Sequence, residues 1–227
     1  MSPLYLSRAR LRRNAPAAAL AALLVPAESE ARTSAAHRLV WALFADDPAR
    51  QRDFLWREEG AGAFMTLSAR PPVDAHGLFD LDHKEFAPIL AAGDRLAFSL
   101  RANATVSRSA GPGARSHRAD VVMDALRAIP PSARADARQD AIVAAGRTWL
   151  ASQGERSGFT PDRDVAVDGY DQRRLPRDGG AALRFSSIDL DGRLTVNEPA
   201  LFLHHLAKGF GRAKAFGCGL MLIRRAR

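Results

Sequence analysis

Twice along this chain of 227 residues the same order of segments recurs: a strand-like run, an amphipathic helix, two strand-like runs and a closing strand. A helix set between strands in this way must bury its apolar stripe against the sheet that those strands form. Residues 4–12 open the first copy. Tyr5, Ser7, Ala9 and Leu11 share one face, and Arg8, Arg10 and Arg12 share the other, at the period of two that a strand imposes. The Ala-rich stretch that follows reads as a loop or short helix. Residues 34–46 read as a helix capped by Thr33 or Ser34 and ended by Asp46-Asp47-Pro48. Ala36, Leu39, Val40, Leu43 and Phe44 form its apolar stripe, with His37 and Trp41 at the margin. Strands are expected over 53–58 and 63–69, joined by the turn Glu59-Gly60-Ala61-Gly62. Residues 71–81 look irregular, and 83–90 fit a further strand. This order is a ferredoxin-like pattern with a degraded second helix.

Gly93-Asp94 punctuates the chain, and the pattern restarts. Residues 94–106 are strand-like. Residues 107–119 read as a basic loop containing Arg108, Arg115, His117 and Arg118, with no acid before Asp120. A helix fits 136–157, burying Ile142, Val143, Trp149 and Leu150 and stopping at Gly158. Strands fit 164–171 and 182–189. Their link, 172–180, forms an Arg-rich hairpin tip with Arg173, Arg174 and Arg177. Asp191-Gly192 reads as another turn. Asn197-Glu198-Pro199 starts a helix that ends at Gly209, and 219–224 is the last strand. The expected fold is α+β: two tandem ferredoxin-like domains, 1–91 and 92–227.

Charge narrows the function. There are 33 Lys and Arg against 25 Asp and Glu, a formal net charge of +8, and only Lys84, Lys208 and Lys214 are lysines. Such a surface attracts polyanions, nucleic acid before anionic membrane. The single cysteine, Cys218, excludes a disulfide scaffold and a four-cysteine zinc site. It also fits a reducing compartment. Ala15 to Val25 resembles the apolar part of a signal peptide, but Pro16 breaks it and it is too short to span a bilayer. A cytoplasmic protein is expected, without metal or nucleotide cofactor.

Residues 209–219, GFGRAKAFGCG, place glycines after a helix and before a strand, the reverse of a phosphate-binding loop. Two readings stand. The glycines let backbone pass close to a neighbouring sheet, or they bring backbone N–H groups, Arg212 and Lys214 to an RNA phosphate chain. Six basic residues and no acid follow Leu206, which favours the second. Among six histidines, His204 and His205 are adjacent on a helix and point different ways, so no pair is expected. His37 is the best catalytic candidate. In the first turn of its helix, the dipole would disfavour the imidazolium and keep a neutral base. From the residues alone, a half-buried histidine with one hydrogen bond is the plainer reading.

Four motifs change that balance. Leu4-Tyr5-Leu6-Ser7-Arg8, His37-Arg38-Leu39-Val40-Trp41 with Phe44, Leu100-Arg101-Ala102-Asn103, and the run from Gly209 through Lys214, Gly217 and Gly219 to Leu220 occur in order along nearly the whole chain. Together they closely resemble the CasE (Cse3) family, the CRISPR repeat-RNA endoribonucleases of type I-E systems. The resemblance implies two ferredoxin-like domains and metal-independent cutting of precursor CRISPR RNA at the base of the repeat hairpin. It implies a 2′,3′-cyclic phosphate product, retention of the guide RNA, and a place among the other subunits of the Cascade complex. It assigns His37 as the catalytic histidine. Some relatives carry a Tyr three residues earlier, where this chain has Ser34, so that helper role is not transferred. Arg38, Lys208, Arg212 and Lys214 are candidates for steadying the phosphorane. Arg108, Arg115, Arg118, Arg173, Arg174 and Arg177 are candidates for gripping the RNA stem. The competing reading is a non-catalytic RNA-hairpin-binding assembly subunit.

Overall fold

The computed structural model describes residues 3–12, 29–47, 49–109, 111, 116–177 and 180–226, with backbone only at 29, 30, 176, 177 and 180. The Ala-rich stretch, Pro48, Arg115 and the Arg177 side chain lie outside the described residues.

The first unit runs β1 (Tyr5–Leu11), α1 (Ser29–Ala42), β2 (Phe54–Gly60), β3 (Ala63–Ser68) and β4 (Phe79–Glu85). Its sheet has the order β2-β3-β1-β4, all neighbours antiparallel. The alternation on β1 holds: Ser7 and Ala9 are buried, Arg8 and Arg10 exposed. All five expected stripe residues are buried against Ala9, Phe54, Trp56, Phe64 and Phe79, but the helix ends at Ala42 rather than at 46, so Leu43 and Phe44 lie in the turn just beyond it. No helix joins β3 to β4. There the Asp74 carboxylate accepts from the N–H groups of Leu78 and Phe79 and steers the chain into β4.

The second unit comprises β5 (Arg95–Ala102), β6 (Thr105–Arg108), β7 (His117–Asp120), α2 (Val121–Arg127), α3 (Arg138–Ser157), β8 (Phe159–Pro161), β9 (Ala166–Arg177), β10 (Gly180–Val196), α4 (Pro199–Lys208) and β11 (Met221–Arg225). Its sheet has the order β11-β5-β10-β8, with β9 also paired to β10. Leu96, Phe98, Leu100, Ile188, Leu190 and Leu194 alternate inward to meet Trp149 and Leu150 of α3 and Phe202 and Leu206 of α4. The two sheets of the tandem ferredoxin-like fold meet through Leu55 and Leu67 against Leu220, and Arg57 Nη1 donates to Ser99 Oγ at 3.1 Å.

Several local expectations are corrected. α1 begins by Ser29, so Thr33 and Ser34 lie inside it and neither caps it. Nothing in 29–32 breaks a helix, and Thr33 is buried, its hydroxyl accepting from Arg173 Nη1 at 2.7 Å. β4 starts at Phe79 and stops at Glu85, because its partner β1 ends opposite at Tyr5. The strand expected over 94–106 divides at Asn103, whose side chain turns away to donate to Ser186 O. The basic loop over 107–119 contains the β6–β7 hairpin, and the short helix α2 follows it. Arg173 and Arg174 belong to β9 rather than to a hairpin tip. Asp191-Gly192 is no turn: both lie within β10, where Gly192 passes close over Val165.

Candidate active site

α1 and the loop joining α4 to β11 come together at His37. Its Nδ1 lies 2.7 Å from Ala215 O. A carbonyl oxygen only accepts, so Nδ1 carries the proton and Nε2 is left with its lone pair. Trp56 Nε1 donates to the same oxygen at 3.2 Å. The Phe216 ring lies 5.6 Å from the imidazole, centroid to centroid, and Trp41 meets it edge-on at 6.4 Å. His37 is therefore held by contacts from both units of the chain.

Its charge state follows from burial. Desolvation lowers the His37 pKa below 6.5, the Ala215 carbonyl works against that, and the nearby cations Arg52 and Arg38 lower it further. The helix dipole has no part in this. His37 is the ninth residue of α1, beyond the first turn where that field acts. Ser34 stands a turn earlier, free of the capping role expected for it.

The glycine-rich loop supplies the other wall. Phe210 N donates to Gly219 O at 2.9 Å, Gly219 N to Arg101 O at 2.7 Å and Arg212 N to Asn103 O at 3.2 Å. Gly211, at φ +71°, has room for no side chain: a Cβ would fall 2.7 Å from Asn103 O. Gly217, at φ +80°, lies against the Trp56 ring, which a Cβ would meet at 3.3 Å. The glycines thus do the first of the two things expected of them, close passage over a neighbouring sheet. That packing holds the single 3₁₀ turn, Lys214–Phe216, at His37 and Trp56.

Lys214 Nζ donates to Lys208 O at 2.7 Å, and burial lowers its pKa, with Arg52 and Lys208 adding to the effect. Arg52, just before β2, went unnoticed in the sequence. Three acids near it, Asp46, Asp47 and Asp53, suggest a neutralised loop. In the structure Asp46 pairs with Arg50 and Arg70, and Asp53 with Arg70. Arg52 Nη1 is buried without a hydrogen-bond partner among the described residues.

The other candidates divide by place. Arg38 is exposed beside His37, and Arg212 is exposed on the glycine-rich loop. Lys208 ends α4 with its side chain exposed. Arg173 is committed to Asp171 at 3.0 Å and to Thr33. Arg174 is exposed opposite Arg184 on the β9–β10 ribbon. Arg108 is exposed and forked onto Asp124, and Arg118 is exposed on β7. The His204 and His205 rings do touch, edge to face at 5.4 Å, against the expectation that they diverge. Among the described residues no three His, Cys, Asp or Glu side chains gather to hold a metal ion, and no helix is long and apolar enough to cross a membrane.

Comparison with known proteins places this geometry. The chain resembles a CRISPR endoribonuclease Cse3 bound to a 19-nucleotide RNA, with TM-score 0.70, 24% identity and 99% of each chain covered. It resembles Thermus thermophilus Cse3 bound to an RNA representing a pre-cleavage complex, with TM-score 0.66, 24% identity, and 98% of this chain and 99% of that one covered. It also resembles the CRISPR-associated protein Cas6e of Escherichia coli K-12, with TM-score 0.61, 19% identity, and 98% of this chain and all of that one covered. No curated protein matches it by sequence. At these identities the likeness is one of fold. The model of the family described as CRISPR associated protein matches residues 4–225, and the chain belongs to that family.

Proposed function

We propose that this protein is a metal-independent endoribonuclease that cuts precursor CRISPR RNA at the base of the repeat hairpin and remains on the guide RNA as a Cascade subunit. The observation that carries this is the His37–Ala215 hydrogen bond, which leaves Nε2 as a basic nitrogen near cations, with no carboxylate partner among the described residues. The family supports it, as does the likeness to proteins whose names describe a CRISPR endoribonuclease with RNA. In this proposal residues 1–91 form the domain that carries His37, and 92–227 form the domain that carries the glycine-rich loop and the Arg-bearing ribbon.

RNA brings its own nucleophile. The 2′-oxygen attacks the adjacent phosphorus, the bond to the 5′-oxygen breaks, and a 2′,3′-cyclic phosphate and a 5′-hydroxyl result. His37 Nε2 takes the 2′-proton, and proton transfer by a positioned group typically contributes ~10²- to 10⁴-fold. The leaving oxygen takes a proton in turn. Lys214 has spent one N–H on Lys208 O and offers the others to phosphate oxygens. Its lowered pKa also makes it a readier proton donor. Arg38, Lys208 and Arg212 extend the positive field toward the RNA. The exposed Arg174 and Arg118 suit the backbone of an A-form stem, which proteins read by shape and phosphate.

The test is cleavage of a repeat hairpin in excess EDTA by wild type and His37→Ala, with a second substrate lacking the 2′-hydroxyl just before the cut. Cutting by wild type alone, blocked by the deoxy substitution, is the expected result. Tight binding without cutting by either protein would establish the non-catalytic hairpin-binding subunit, the reading that Ser34 in the Tyr position favours.

A further inference from the structure

We infer that Arg52 is a further catalytic residue, its guanidinium donating to a non-bridging oxygen of the scissile phosphodiester beside His37. This rests on the ribonuclease reading of the site and adds a group that neither composition nor motif singles out.

The case begins with what Arg52 lacks. It sits in the turn between α1 and β2, half-buried, with Nη1 fully enclosed and without an acceptor among the described residues. Guanidinium cannot shed its charge to escape burial, so an enclosed N–H of this kind needs a partner. The nearby acids do not pair with it, and one of their own oxygens, Asp53 Oδ1, is likewise buried without a partner among the described residues. Asp46 is held by Arg50 at 2.8 Å and by Arg70 at 3.2 Å, and Asp53 is held by Arg70 at 3.0 Å. Asp47 accepts from Ala49 N at 2.9 Å. No carboxylate pairs with Arg52 among the described residues.

Its surroundings are cationic. Phe54, two residues beyond Arg52, meets Trp41 edge-on with ring centroids 5.3 Å apart, and Trp41 meets His37 at 6.4 Å. These contacts anchor Arg52 near His37, and its charge disfavours protonation of both His37 and Lys214. Three basic groups held together, one of them with an enclosed and unsatisfied donor, gain nothing from one another. An anion beside them satisfies Arg52 and Lys214, while the His37 Nε2 lone pair calls for a hydroxyl donor. In this arrangement the two non-bridging oxygens of a phosphodiester accept from the half-buried Arg52 guanidinium and from Lys214, while His37 Nε2 faces the 2′-hydroxyl. Arginine suits this place because its planar fork presents fixed donors to phosphate oxygens. As the phosphorane forms, charge on those oxygens rises and the contact strengthens, which accelerates reaction rather than binding.

Single-turnover cleavage and hairpin affinity would be measured for wild type, Arg52→Ala, Arg52→Gln, Arg52→Lys, Arg50→Ala and His37→Ala. The substrates are the natural repeat hairpin and its two phosphorothioate diastereomers at the scissile position. Thermal melting checks that each variant folds, and the Gln variant keeps the bulk of the side chain. Losing one transition-state donor is expected to slow cleavage by about 10²- to 10³-fold in Arg52→Ala and Arg52→Gln, with hairpin Kd moved far less. Lys should restore part of the rate, and Arg50→Ala should cut like wild type. The Arg52 defect should shrink on one diastereomer only, since sulfur replaces a single non-bridging oxygen. Cleavage by Arg52→Ala and Arg52→Gln within about threefold of wild type would overturn the inference. So would an equal defect on all three substrates. A wild type that cuts, with His37→Ala inactive and the Arg52 variants unimpaired, overturns this inference alone. A wild type that binds and never cuts overturns the ribonuclease reading and the inference together.

Discussion

His37 Nδ1 and Ala215 O lie 2.7 Å apart although 178 positions separate them in sequence. The bond joins a helix of the first sheet to the loop before the last strand of the second, and it sets which imidazole nitrogen is basic. Two consequences can be measured. His37→Ala should lower single-turnover cleavage by about 10²- to 10⁴-fold, with hairpin affinity little changed. Because the pKa is lowered from 6.5, the wild-type rate should climb with pH below that value and level off above it. Stability should follow the same direction. The unfolded chain binds the proton more readily than the folded one, so stability is full above pH 6.5 and is lost as acid forces the buried ring to charge. His205, lowered chiefly by burial, acts with the same sign. Melting temperatures between pH 7 and pH 5 should therefore fall less in His37→Gln than in wild type.

Gly217→Ala tests whether loop placement matters apart from charge. At φ +80° a side chain is strained by roughly 1–2 kcal/mol. The new Cβ would also press on the Trp56 ring at 3.3 to 3.6 Å. Relief requires the turn to lift from Trp56, which carries Ala215 away from His37. Denaturant unfolding should show a loss of about 1–2 kcal/mol. Cleavage should fall by more than that loss of folded protein explains.

Much of this was legible because period and burial are local. The alternation of Ser7 and Ala9 with Arg8 and Arg10 needs only a pleated strand, and the stripe from Ala36 to Phe44 needs only a helix. His37 was legible as a position, but the reason for its neutrality was not. Thr33 looks like a helix cap, and only the fold reveals that its hydroxyl serves Arg173, 140 residues away. Its true helix start changes His37 from a dipole-perturbed residue into one perturbed by burial. α2 was hidden by its shortness, seven residues with only Val122 and Leu126 buried. Gly192 resembles a turn residue, yet it is small because Val165 lies across it. Arg52 was invisible because sequence counts nearby acids and cannot tell which arginine each of them pairs with. Ala215 contributes through its backbone, which no side-chain pattern reveals.

Asp120 offers a stability prediction well away from the chemistry. Its carboxylate caps α2 by accepting from Val122 N at 2.9 Å and Met123 N at 2.8 Å. It also accepts from Tyr170 OH at 3.1 Å and from Ser186 Oγ. Burial and this carboxylate together push the Tyr170 pKa up to about 12. Asp120→Ala strands the donors of three elements at once, so a loss of roughly 2–4 kcal/mol is expected in urea unfolding. Asp120→Asn, which keeps one acceptor oxygen, should lose less. An equal loss in both variants would assign the effect to charge rather than to hydrogen bonding.

Arg173 and Arg174 are neighbours on β9 with opposite expectations. The Arg173 side chain is only 22% exposed and is spent on Asp171 and Thr33. Removing it leaves the Thr33 hydroxyl, buried where α1 meets the ribbon, without that donor. Arg173→Ala should therefore cost about 1 kcal/mol of stability. Arg174 is exposed, and its partner across the ribbon is another arginine, Arg184, so nothing in that register neutralises it. Arg174→Glu should leave the melting temperature almost unmoved and weaken hairpin binding. If Arg174 neutralises one phosphate of the stem, the slope of log K against log salt should shrink by about 0.9, the share of a single counterion. An unchanged slope would remove this face of the ribbon from the RNA, and a lost melting transition would mean that Arg174 holds the hairpin together instead.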